Sequence, residues 1–140
     1  MRTPITDPAH PALALVGRIL LALIFIVSGF GKIMGYGGTA AYMASAGLPM
    51  VGLLLPLTIA VELGGGLLIA IGLFTRPVAI IVFLFMIPVT LVFHHFWDVP
   101  APQAAMQQIQ FMKNIAIMGG MLMLAFAGPG SLSVDARRDR

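Results

Sequence analysis

The sequence predicts an all-α fold, a four-helix transmembrane bundle with both termini on the cytoplasmic side. Three observations predict it. Hydrophobic residues fill 59% of the 140 positions and charged residues only 9%, against about 25% charged in ordinary soluble domains. A soluble core of this size could not hide that much apolar surface, so lipid is the solvent for most of the chain. Four segments, at about 13–34, 51–74, 77–96 and 111–127, approach the roughly 20 apolar residues needed to cross the hydrocarbon core. The basic residues, finally, fall unevenly between the loops that these segments define.

The first apolar stretch is longer than a signal-peptide core and has no small-x-small cleavage site before its closing charge. It reads as an uncleaved span. After it, Thr39 to Ala46 is compatible with a short interfacial helix in the first outer loop, ending at Gly47 with Pro49 beyond. The second and third spans are separated only by Thr75-Arg76-Pro77. Thr75 can cap a helix there and Pro77 suits a first helical position, where its missing N–H costs nothing. Those two spans must be antiparallel neighbours. Pro56 and Pro88 lie within them and predict kinks, because each removes a backbone donor. The fourth span is the shortest, and Gln107, Gln108 and Gln110 place its start near the interface.

With the termini together, one side holds Arg2, Arg18, Arg76, Arg137, Arg138 and Arg140, and the other holds Lys32 and Lys113. Short loops rich in lysine and arginine face the cytoplasm. Both termini, including a basic tail over 131–140, are therefore expected inside and the longer loops outside, as a multi-pass protein of a bacterial inner membrane. Tyr36, Tyr42, Phe96 and Trp97 then fall at the outer interface, which amphipathic aromatics favour. No repeat of fixed period interrupts the chain, and residues 1–140 read as a single membrane domain.

The net charge of +3 does not suggest nucleic acid, since the basic residues are scattered singly except at the tail. The chain has no cysteine. Disulfide exchange, thiolate-ligated clusters and any other cysteine-ligated cofactor are excluded within it. There is no phosphate-binding loop, no HExxH and no nucleophile elbow.

Glu62 is the residue that points to function. A carboxylate near the centre of a span costs roughly 2.5–3.5 kcal/mol on insertion scales, so it normally faces the bundle interior and finds a partner. Gly65 and Gly66, with Gly64 before them, share or border its helical face and allow close approach of a neighbouring helix. Ala116 and Gly120 offer a matching face in the fourth span. Lys32, stacked on Ser28 and Gly29, and Lys113 lie within reach of the same depth, and Glu62 is expected to pair with at least one of them. Taken alone, each lysine reads as an interfacial residue that snorkels to the headgroups.

His94 shares a face with Thr90 and points inward. His95 follows about 100° around the helix, so the two cannot face one metal, and no metal site is expected. Asn114 can bond across helices. Arg18 lies about one turn into the first span, where it either snorkels to the headgroups or pairs inside the bundle. The ten methionines read as core filler.

Several of these motifs together resemble the DoxX family of small bacterial inner-membrane proteins. The residues concerned are Gly17-Arg18, Ser28-Gly29-Phe30-Gly31-Lys32, Glu62-Leu63-Gly64-Gly65-Gly66 and Gly72-Leu73-Phe74-Thr75-Arg76. His94, Lys113-Asn114, Gly128-Pro129-Gly130-Ser131 and Val134-Asp135 complete the set. The resemblance implies a four-helix membrane protein, often labelled an oxidoreductase, in a family associated with sulfur-compound or quinone-linked redox chemistry and with resistance to oxidants.

Three functions compete. The first is a redox-associated subunit that binds a quinone-like small molecule, with Lys32, Lys113 or His94 donating to its oxygen, Glu62 tuning the proton, and Phe30 and Phe111 flanking the ring. The protein would then work with a soluble redox partner. The second is a small proton-coupled transporter with Glu62 as the coupling carboxylate, which needs a homo-oligomer for alternating access. The third is a non-catalytic assembly partner that docks a soluble enzyme through its basic tail.

Overall fold

The computed structural model describes residues 10–139, and Arg2 and Arg140 lie outside them. Among the described residues the chain is mostly helical, with no strand, and four helices are long and apolar enough to span a membrane. Helix α1 runs Pro11–Met34, α2 Tyr36–Ser45 and α3 Val51–Ile71. Helix α4 covers Thr75–Phe93, α5 Ala101–Ala127 and α6 Val134–Arg138. The spans are α1, α3, α4 and α5, and α2 is the short helix expected in the first long loop.

Helix α3 packs between α1 and α4, α5 packs on α4, and α5 touches α1 only lightly. The core of Ala22, Phe25, Ile69, Val78, Ala79, Val82, Met86 and Met121 lies between these spans. Leucine, isoleucine and phenylalanine point outward along every span, as lipid contact requires.

The closest approach is between α1 and α3. A Cβ on Gly29 would lie 2.7 Å from the Leu63 amide nitrogen, and one on Gly66 would lie 2.9 Å from an Ile26 side-chain atom. Only residues without a side chain let these two backbones meet. The glycine-rich face of α3 therefore seats α1, while Gly65 meets Val78 and Val82 of α4 and Gly64 meets nothing within 4 Å. The expected match with Ala116 and Gly120 does not form, because Gly120 faces Leu21 of α1.

Helix boundaries differ from expectation at three places. Helix α4 ends at Phe93 rather than 96, so His94 and His95 lie beyond the helix and do not follow one another around it. Helix α5 begins ten residues before position 111, because Pro102 sits in its first turn and the glutamines read as interfacial continue the helix. At 27 residues it is about 40 Å long at 1.5 Å per residue. Lys113 therefore lies inside the helix rather than at its start. The α3–α4 turn is Gly72-Leu73-Phe74, three residues earlier than expected. Gly72 at φ +73° closes α3, with its amide bonded to Ile69 O and that of Leu73 to Leu68 O, a pattern that needs a left-handed residue.

Thr75 does not cap α4; the N-cap position is Phe74, and no side chain there accepts a cap bond. The cap comes from Asp135, sixty residues on, whose carboxylate accepts from the amides of Phe74 (2.8 Å) and Thr75 (2.9 Å). Burial pushes the Asp135 carboxyl up, but the Thr75 and Phe74 amides and the charge of Arg138 outweigh it and hold it below the usual carboxylate range. A carboxyl lowered on folding stabilises the fold above its unfolded value, and that stability is lost as pH falls through the folded value. Thermal scans in detergent should show a melting-temperature loss below about pH 4 that is smaller in Asp135→Asn, where the cap no longer titrates. Equal acid sensitivity in both proteins would assign the loss to other groups.

Candidate functional site

The expected polar residues converge in the half of the bundle covered by α2. Glu62 lies in a π turn, Ala60–Gly64, set within α3 four residues beyond Pro56. Such turns add a residue to the helical repeat and are frequent at functional sites. Glu62 is 7% exposed. Its Oε2 sits 2.8 Å from Lys32 Nζ and accepts from Ser28 Oγ at 3.1 Å, while Lys32 Nζ donates to Ser28 Oγ at 2.7 Å. Lysine, serine and carboxylate thus form a closed three-membered network between α1 and α3.

These groups line one wall of a cavity of about 270 Å³ that reaches all four spans and α2. Asn114, Thr58, Thr39, Lys113 and His94 bring further polar groups to it, and Phe25, Tyr42, Met43, Phe85, Met86 and Phe93 line its apolar part. Asn114 Nδ2 donates to Thr90 Oγ1 at 3.1 Å, and that hydroxyl donates to Met86 O at 2.7 Å. This chain fixes the Asn114 carboxamide across the α4–α5 contact. His94 Nδ1 bonds Gln107 Oε1 at 2.8 Å, whereas His95 turns back to Val92 O. Tyr42 of α2 stacks on Phe93 of α4 with ring centroids 5.4 Å apart, which carries α2 over the end of the cavity.

Not every expected residue joins this cluster as foreseen. Lys113 lines the cavity but donates to Gln110, three residues away on its own helix, and makes no ion pair with Glu62. Phe30 is 57% exposed, and Phe111 packs edge-on against Phe96 and Trp97, so neither lines the cavity. The aromatic rings that do line it are Phe25, Tyr42, Phe85 and Phe93. Thr58 and Thr39 were missed in the sequence, although Thr58 lies four residues before Glu62, a helical-face spacing that could have found it.

Arg18 is at the opposite end of the bundle. It is 2% exposed and does not snorkel. Its guanidinium donates to Ala70 O at 3.2 and 3.3 Å, to Leu132 O at 2.8 Å and to Pro129 O. Arg76 similarly donates to Ala125 O (2.7 Å) and Phe126 O (2.5 Å) at the end of α5. The two arginines close the last turns of α3 and α5, and the segment after α5 is folded onto the bundle by Arg18 and Asp135.

The DoxX family model matches residues 13–95, more than half of the chain. The chain belongs to the DoxX family. It is 41% identical over 129 residues to inner membrane protein YphA of Escherichia coli, covering 92% of each chain. It is 43% identical over 121 residues to inner membrane protein YqjF of the same organism, covering 86% of this chain and 88% of that one. A Bacillus subtilis protein, CatD, whose name carries a provisional oxidoreductase label, is 38% identical over 64 residues, 46% of each chain. No solved structure matches. The matched DoxX region includes Lys32, Glu62 and His94 but ends before Lys113 and Asn114.

Proposed function

We propose that this DoxX protein is a redox-associated inner-membrane subunit that binds a quinone-like small molecule in the polar cavity beside Glu62. The observation that carries this reading is the convergence of one buried ion pair, an anchored carboxamide and aromatic side chains on a single cavity. Small-molecule sites are mostly apolar enclosures with a few placed polar groups. The volume of about 270 Å³ lies just below the roughly 300 Å³ lower end of such sites. It suits one ring with short substituents.

In this reading Lys32 and Asn114 donate to ring oxygens and Tyr42 and Phe93 bound the ring. Glu62 sets the charge balance that lets Lys32 remain in the membrane. The positive-inside rule puts the arginine-rich end in the cytoplasm, so the cavity lies in the outer half of the bilayer. The provisional oxidoreductase label of CatD supports a redox association, and any electron carrier would come from the ligand or a soluble partner.

Isothermal titration of the purified protein in nanodiscs with a short-chain benzoquinone tests the reading. Wild type should bind, and Asn114→Leu or Lys32→Met should weaken binding about tenfold, the loss of one hydrogen bond to a charged or well-placed donor. Folded wild type that binds no quinone, oxidised or reduced, would sink it.

A further inference from the structure

The four spans do not close evenly. α1 packs on α3, α3 on α4 and α4 on α5, whereas α5 returns to α1 with little contact. Along that last seam Gly120 comes against Leu21; a Cβ there would lie 3.2 Å from Leu21 Cδ1. The seam parts on either side of this point. Towards the α2 end, Ile24 of α1 and Ile117 and Lys113 of α5 line the polar cavity, and Ile24 is 38% exposed while Lys113 is exposed. Towards the other end, Leu13, Ala14, Gly17 and Leu21 face Met123 and Leu124 across a groove that Arg18 and His10 also line.

We infer that the polar cavity opens sideways into the bilayer between α1 and α5, and that its ligand is an amphipathic molecule with a ring head in the cavity and an apolar chain along the seam. The inference rests on the binding reading above and extends it to the class of ligand and its route. Three features favour a chain in the seam over a ligand from water. Helix α2, held by the Tyr42–Phe93 stack and the buried Met43, covers the end of the bundle that would face water. The cavity, about 270 Å³, accommodates a ring head and leaves a long chain to lie outside it. Around the opening the seam is formed by Ile24, Leu21 and Ile117, so a hydrocarbon chain there exchanges lipid contact for side-chain contact at little cost, whereas a polar substituent would lose its hydration. Lys113, at the rim and bonded to Gln110, can meet a polar group as it passes from the headgroup region.

The test compares two benzoquinones with the same head, one without a side chain and one with a decyl chain, by titration into nanodiscs. Ile24→Trp and Ile117→Trp fill the opening, and Leu122→Trp, on an exposed face of α5 outside both the polar cavity and the groove, is the control. The expected result is that both seam variants weaken the decyl compound about tenfold and the bare head less than threefold, with the control unchanged for both. Seam variants that melt like wild type and bind the decyl compound equally well overturn the inference while leaving the site reading intact. Equal losses for both compounds also overturn it, since the tryptophans would then only be crowding the head. Wild type that binds neither compound overturns both the site reading and this extension.

Discussion

Lys32→Met should be among the most destabilising single changes in this protein. Removing one partner of a buried ion pair costs about 3–5 kcal/mol when both groups are fully enclosed. The Lys32 side chain is 25% exposed and that of Glu62 9%, so solvent and headgroups screen part of the pair and about 2–3 kcal/mol is expected. The double change Lys32→Met with Glu62→Gln should recover much of this loss. It removes both charges, and Ser28 can still donate to the carboxamide oxygen that takes the place of the carboxylate. Reversible unfolding in mixed micelles, read as a double-mutant cycle, checks it. Single-variant losses that simply add would mean that the amine and the carboxylate are not coupled.

Arg18→Leu should have a comparable effect by another route. The guanidinium satisfies three carbonyls, of Ala70, Pro129 and Leu132, at a place where its own burial is nearly complete. An orphaned buried acceptor costs about 1–3 kcal/mol. Water reaches some of these groups once the segment after α5 is released, so a total near 3 kcal/mol is expected. Arg18→Lys should recover little, because one ammonium cannot reproduce a planar fork spread over three acceptors. Hydrogen exchange should rise selectively over 128–139, including the Asp135 amide that now bonds Gly72 O, while the polar cavity at the far end keeps its protection. Unchanged exchange in that segment would show that Arg18 does not hold it.

The two predictions concern residues of which the sequence said different amounts. Glu62 stood out because a charge inside a long apolar run has few stable surroundings, and Lys32 because it shares a helical face with Ser28 and Gly29. What could not be read was which lysine would pair. Gly29 lets the α1 backbone come against Leu63, next to Glu62, so the amine on α1 reaches the carboxylate. Lys113 stands across the cavity on a helix that meets α1 only lightly. Arg18 looked like a snorkelling residue because its partners, Pro129 and Leu132, are carbonyls more than a hundred positions away and carry no side-chain signal.

Composition and periodicity by themselves determined the membrane environment, the four spans, the short helix after the first and the place of Glu62 midway along the second span, because hydrocarbon leaves backbone and charge so few options. The tertiary structure alone decided the π turn at Ala60–Gly64, the Asp135 cap and the loose seam between α1 and α5. Each of these depends on how closely two distant backbones approach, and that is set by the fit of side chains across helices rather than by any local pattern along one of them.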